Sequence, residues 1–274
     1  MLTNDDGPFT PGICSLRKAL TEFGQVTVVC PAQECSAVGH AITYIVPVRT
    51  GTARLADGTP VQTLTGTPAD CVKFALLEVY DSPPDLLVSG PNVGINAGID
   101  LFYSGTVAAA LEGGFNGVPS VAFSTARRNA DRADAVAQQA VRVLRMLLGE
   151  GELSGPHVFN VNIPHLTGEE PPIRFTGQDL SFPPGRYVRA EAPLDRVHYW
   201  LDSTTGAGPP EPGSDVAAAE AGSISITPLR CDLTDEGRLD HLRKAASSGP
   251  AVARSSGPGD TGGSASEAAP AAEA

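Results

Sequence analysis

Residues 85–124 read DLLVSGPNVGINAGIDLFYSGTVAAALEGGFNGVPSVAFS. An apolar run from Asp85 leads into a loop holding Gly90, Gly94, Gly98, Asn92 and Asn96. An Ala-rich helical segment then starts behind Ser104 and stops at Gly113 and Gly114, before a second apolar run from Ser120. Continuously apolar runs, as opposed to alternating ones, suit strands covered on both faces of a parallel sheet. Strand, helix and strand in that order make a βαβ unit, and the rest of the chain is read outward from it.

The same texture recurs on both sides. VTVVCP from Val26 and HVFNVNIP from His157 are further buried strands, and a short apolar start precedes Asn4. TPGICSLRKALTEFG has Thr10 as N-cap, Pro11 at the first helical position, apolar Ile13, Leu16 and Leu20, and a stop at Gly24. DRADAVAQQAVRVLRMLLG repeats apolar positions at Val136, Ala140, Val143 or Leu144 and Leu147. The predicted fold is therefore α/β, an open, doubly wound, mostly parallel sheet flanked by helices. From about Gly177 the pattern shortens: YVRAE, VHYWLD and SISITPL are strand-like pieces between Pro- and Gly-rich turns, which predicts C-terminal β-hairpin extensions over about 177–230. Isolated hairpins are marginal in water, so these arms are expected to pack on something, such as another subunit. Residues 1–244 read as one domain, and 245–274, almost without large apolar residues, as a disordered tail.

In open α/β sheets ligands gather beyond the carboxyl ends of strands. LTNDDGPFTPG, from Leu2, places Asp5 and Asp6 side by side at such an end, where their charges repel unless a cation joins them. Ser36 lies in the loop after the second strand, and Asn92 follows the DLLV run. Carboxylate, hydroxyl and amide oxygens form a hard donor set, suited to Mg²⁺, Mn²⁺ or Ca²⁺ more than to zinc. The competing reading of NDDG is an Asx-rich turn. Ser104, Gly105 and Thr106 open the Ala-rich helix, whose unpaired N–H groups and positive dipole end suit phosphate. The competing reading of Ser-Gly-Thr is a plain helix cap. Asn92 and Asn96, with four glycines in the same loop, permit close backbone approach to an anion.

With 31 acidic against 19 basic residues, a net charge of −12 and a pI near 4.8, the chain lacks the basic balance that nucleic-acid and anionic-membrane binding require. Five cysteines, at 14, 30, 35, 71 and 231, form no C-x-x-C and read as reduced thiols of a cytoplasmic protein. No apolar run approaches the length of a membrane span. G-x-G-x-x-G behind the first strand, G-x-x-x-x-G-K-[ST] and G-x-S-x-G are all missing, so dinucleotide, Walker-type and serine-hydrolase sites lack their geometry. The five histidines are scattered, and His40 alone stands close to Ser36.

Laid in order, LTNDDG, VTVVCPAQECSAVGHAIT, GTPADCV from Gly66, PDLLVSGPNVGINAG, YSGTVAAALEGGFNGVPSVAFS, FNVNIP, HYWL and GSDVAAAEAGSISITPL closely resemble the SurE family of survival proteins, metal-dependent 5′-nucleotidases. The resemblance implies a Rossmann-like α/β fold, hydrolysis of nucleoside 5′-monophosphates, and a homodimer or homotetramer with exchanged C-terminal arms. It implies a divalent ion on Asp5, Asp6, Ser36 and Asn92, with Asp5 and Asp6 central to catalysis. It further implies a phosphate pocket at Ser104, Gly105 and Thr106, with Asn96 matching the second Asn of the glycine-rich loop. Pro91 and Pro8 depart from the family pattern without removing a ligand, and the stretch before LTNDDG is shorter by two or three residues. Two other readings stand beside the enzyme: a nucleotide-binding module without turnover, and an assembly protein built on the arms.

Overall fold

The computed structural model describes residues 1–181, 185–192, 196–202 and 208–248. Its contacts divide the chain into two units, Met1–Cys231 and Asp232–Ala274. The described residues of the second unit, 232–248, include one helix, Glu236–Ser248, which starts before residue 244 and runs past it. The rest of the segment read as a disordered tail lies outside the described residues.

The first unit is built on a six-stranded sheet. Strands β1 (Leu2–Thr3), β5 (Leu87–Val93), β6 (Ser120–Thr125) and β7 (Val158–Ile163) lie side by side and parallel, and β11 (Ile224–Leu229) and β8 (Ile173–Phe175) complete the order β1-β5-β6-β7-β11-β8. A second sheet, β2 (Val29–Pro31), β4 (Pro60–Leu64) and β3 (Thr50–Arg54), in the order β2-β4-β3, meets the first through a bridge between Leu2 and Val28. The pleat sends alternate side chains to opposite faces. Val121, Phe123, Phe159 and Val161 pack with Ile13, Leu16 and Leu20 of α1 (Pro11–Leu20) and with Val136, Val143, Leu144 and Leu147 of α4 (Ala133–Gly149). Their neighbours Ala122 and Val158 pack with Val107 and Ala110 of α3 (Gly105–Phe115). Beside α3, α2 (Pro68–Phe74) adds Cys71 and Val72 to a cluster with Leu64, Leu87 and Ala109.

α1 starts at Pro11 as expected, although the Thr10 side chain makes no capping bond, and it ends at Leu20, so Gly24 lies in the following loop. YVRAE and VHYWLD form the expected hairpin, β9 (Arg186–Ala192) against β10 (Arg196–Asp202). SISITPL does not belong to the arms. It is β11, paired antiparallel with β7 from Ser225 opposite Asn162 to Leu229 opposite Val158, inside the main sheet. Its buried Ile224 and Ile226 supply the reason, since they complete the core under α4. The hairpin leaves the body after β8 and returns through α5 (Asp215–Glu220).

Candidate active site

The turn after β1 is closed by Asn4. Its Nδ2 donates to the Gly7 carbonyl at 2.8 Å, and its Oδ1 accepts the Gly7 N–H at 3.2 Å. The Asx chemistry that NDDG can perform is thus carried out by the asparagine, and both carboxylates are left for other work. Asp5 is 4% exposed, and its Oδ1 accepts the Thr106 hydroxyl at 2.6 Å. Asp6 Oδ2 is buried with no partner among the described residues. The Cys35 N–H donates to the Asp5 carbonyl at 2.8 Å, which ties the Ser36 loop to the same turn.

Opposite stands the start of α3. The Ser104 hydroxyl caps the helix by accepting the Val107 N–H at 3.1 Å, a bond that leaves its own O–H as a donor. A Cβ on Gly105 would lie 3.0 Å from Pro68 Cγ and 3.1 Å from Asp5 Cβ, so the absence of a side chain there lets α3 come up against the aspartate. Asn92 follows a register shift in β5 that spans the cis Gly90–Pro91 bond, and its Nδ2 donates to the Gly94 carbonyl at 2.8 Å. Ser36 is exposed and donates to Glu34 Oε1 at 2.6 Å. Asn96 is held over the ends of β6 and β7: its N–H donates to Asn162 Oδ1 at 2.9 Å and its Nδ2 to Ser124 Oγ at 2.8 Å. Asp5, Gly105 and Thr106 are thus in direct contact. Ser36 and Asn92 sit on the same edge of strand ends without hydrogen-bonding either aspartate.

The turn is electrostatically uncompensated. Burial pushes the Asp5 carboxyl up, and the Thr106 hydrogen bond opposes it. Burial, then the charges of Asp5 and Glu34, raise Asp6 to about 6. None of the three carboxylates forms an ion pair with a described residue. A cleft of about 520 Å³, lined by Met1, Thr27, Asp85 and Leu86 among others, lies at the opposite, amino ends of the strands and shares none of these groups.

The sequence model of the family described as Survival protein SurE matches residues 1–181. The chain belongs to the SurE family. It is 42% identical over 250 residues to the 5′-nucleotidase SurE of Chloroflexus aggregans, covering 89% of this chain and 97% of that one. It is 40% identical over 245 residues to the 5′-nucleotidase SurE of Syntrophobacter fumaroxidans, covering 89% and 98%. The crystal structure of the SurE protein from Aquifex aeolicus superimposes with a TM-score of 0.75 at 35% identity, over 89% of this chain and 98% of that one.

The donor chemistry of this SurE chain fits a divalent cation. A buried, partnerless carboxylate oxygen beside a second buried carboxylate is costly until a cation or proton joins it. Among the described residues no three His, Cys, Asp or Glu side chains gather as a ligand group. A protein shell for a cation here would be two carboxylates completed by neutral oxygens, the set that hard cations accept.

Several residues around the SurE site escaped sequence reasoning. Glu34 engages Ser36, and its signal is an extra acid two positions before that serine. Asn160 Nδ2 donates to the Asn96 carbonyl at 2.7 Å from 64 positions away, and nothing local announces it. His40 faces another group: its Nε2 lies 3.0 Å from Glu112 Oε2, and its ring stacks on Phe115 at 5.3 Å. Lys73 Nζ reaches Glu112 Oε1 at 3.0 Å, so Glu112 joins the loop after Ser36 to α2 and α3.

Proposed function

We propose that the chain hydrolyses nucleoside 5′-monophosphates to nucleoside and phosphate, with a divalent cation, Mg²⁺ or Mn²⁺, on Asp5, Asp6, Ser36 and Asn92. The observation that carries the reading is the contact of a buried aspartate with the N-terminus of α3, Asp5 Oδ1 to Thr106 Oγ1 at 2.6 Å, beside the partnerless Asp6 Oδ2. Relatives at about 40% identity that bear the name 5′-nucleotidase SurE support the substrate class.

A cation held there supplies a Lewis acid for the phosphoryl group of a monoester. The chain's own residues then divide the work. Thr106 fixes the Asp5 carboxylate, since a hydroxyl donating to one oxygen leaves the other's orientation determined. The Gly105 N–H, at the positive end of α3, faces the phosphoryl oxygens, and such an end favours an anion by about 0.3–1 kcal/mol, more where solvent is excluded. Asn96, clamped by β6 and β7, adds a preorganised amide, which avoids reorganisation as charge shifts during in-line attack by water. Ser104 caps the helix through its oxygen and keeps its O–H to donate to a phosphoryl oxygen. Glu112 already engages His40, so no general acid is assigned among the histidines.

Exposed Tyr187, Tyr199 and Trp200 on the β9–β10 hairpin support arm exchange in a homodimer or homotetramer, because a two-stranded ribbon does not bury such rings by itself. No described helix is long and apolar enough to cross a membrane. The test is phosphate release from AMP and GMP by pure protein with Mg²⁺, with Mn²⁺ and with chelator. Metal-dependent release supports the enzyme. Nucleotide binding with no release would assign a binding module instead.

A further inference from the structure

The loop that carries Asn96 is fixed from two sides, and the nucleotidase reading uses one of them. On the sheet side stand Asn160, Asn162 and Ser124. On the other side, two residues along, the Gly98 N–H donates to Asp215 Oδ2 at 2.9 Å and the Gly98 carbonyl accepts Gln178 Nε2 at 2.8 Å. Asp215 is 0% exposed, and its second oxygen accepts the N–H groups of Asp179 and Val216, each at 2.9 Å. Asp179, also buried, accepts the Ser181 N–H at 2.8 Å on one oxygen, and the Glu211 N–H at 2.9 Å and the Ser214 hydroxyl at 2.6 Å on the other. Two carboxylates thus knit together the Asn96 loop and both segments of the root from which the β9–β10 hairpin leaves and to which it returns.

Capping of α5 does not explain Asp215. Ser214 already caps that helix by accepting the Ala217 N–H at 3.1 Å, and a six-residue helix needs no fully buried carboxylate bonded to a residue 117 positions away. The contact with Gly98 is also steric. Gly98 has φ +59°, and a Cβ there would lie 3.1 Å from the Asp179 carbonyl oxygen, so loop and root are packed backbone to backbone. A carboxylate offers acceptors alone, so it can take N–H donors on both oxygens at once, whereas an asparagine would turn an NH₂ toward one of them.

We propose that Asp215 is a positioning residue of the nucleotide site: by binding Gly98 to the hairpin root it sets the loop that presents Asn96 to the phosphoryl group. Substrate affinity then depends on the state of the hairpin root. The proposal rests on the reading of Asn96 as a substrate contact.

The test compares wild type, Asp215→Asn, Gln178→Leu and, as a packing control in the distant α4 core, Val143→Ala. For each, kcat and KM for AMP with Mn²⁺, the inhibition constant of inorganic phosphate and Tm are measured. Asp215→Asn should raise KM and the phosphate constant about 5–20-fold with kcat within about threefold, the signature of lost binding shared by ground and transition states. Gln178→Leu should raise both about 2–5-fold, and it carries the test if Asp215→Asn does not fold. Val143→Ala should lower Tm and leave KM unchanged. Unchanged KM and phosphate affinity in either loop variant, or an equal rise in the control, overturns the proposal. A wild type that binds phosphate without releasing it from AMP fails the hydrolytic reading alone, and the phosphate dissociation constant then takes the place of KM with the same expected shifts. A wild type that binds neither AMP nor phosphate overturns both.

Discussion

Thr106→Val is the sharpest perturbation of the site, because it removes a hydroxyl and keeps the shape. Thr106 is 0% exposed and Asp5 4%, and the bond between them is 2.6 Å, within the range of charge-assisted O–H···O⁻ contacts. A hydrogen bond to a charged group contributes about 1.5–3 kcal/mol, and a buried acceptor deprived of its donor loses at least that. The variant should therefore be destabilised by about 1.5–3 kcal/mol; at about 2–4 °C per kcal/mol for a unit of this size, Tm falls by about 3–12 °C. Asp5 would also be free to turn, so kcat/KM should fall about 10–100-fold and more Mn²⁺ should be needed for half-activation. Thr106→Ser, which keeps the hydroxyl, should recover most of the rate. The assay is phosphate release from AMP across a Mn²⁺ series, with thermal unfolding in parallel. A Thr106→Val protein with wild-type kcat/KM and wild-type metal dependence would refute the role given to this contact.

Further outcomes follow from other contacts. Gly105→Ala should cut kcat/KM by at least about tenfold, since its Cβ would press at 3.1 Å on the Asp5 Cβ; steady-state kinetics against AMP checks this. Asp6→Asn should abolish turnover and leave the metal-free protein as stable as wild type or more so, because a carboxylate with one buried, partnerless oxygen beside Asp5 is replaced by a neutral amide; Tm measured in chelator decides. Glu112→Gln should cost about 1–3 kcal/mol near neutral pH. Hydrogen bonding from His40 holds the Glu112 carboxyl down at about 2, so its stabilisation is complete above the ordinary glutamate range and disappears as pH falls toward 2. The Tm difference between wild type and Glu112→Gln should shrink over that interval.

The parts of the fold that were legible in the sequence are those written in local periodicity. α4 shows its apolar stripe at Val136, Val143, Leu144 and Leu147, and β6 and β7, buried along their whole length, are announced by Val121–Phe123 and by Val158, Phe159, Val161 and Ile163. β11 was misplaced because SISITPL has the texture of either an arm strand or a sheet strand, and its place is decided by pairing with β7 more than sixty residues earlier. Of the β2-β4-β3 sheet only β2 is legible, inside VTVVCP; β3 is largely exposed and polar and carries no such signal. In the site, Asp5, Asp6 and Ser104–Thr106 announce themselves as unusual local clusters. The groups that orient them do not: Asn160, Asn162 and Asp215 act on Asn96 and Gly98 across 64 to 117 positions, and each looks by itself like an ordinary strand or cap residue. Ser104 is visible in the sequence as a helix cap, and the capping bond to the Val107 N–H uses its oxygen and not its hydrogen.

The central claim is that the Asp5–Asp6 turn, with oxygens from Ser36 and Asn92, is a divalent-cation site at the head of α3. Calorimetric titration of the metal-free full-length protein with Mn²⁺ tests it directly. The account predicts one saturable site per chain, absent in Asp6→Asn and weakened in Asn92→Ala. A wild type that takes up no stoichiometric Mn²⁺, or an Asp6→Asn protein that binds it as wild type does, would contradict the account.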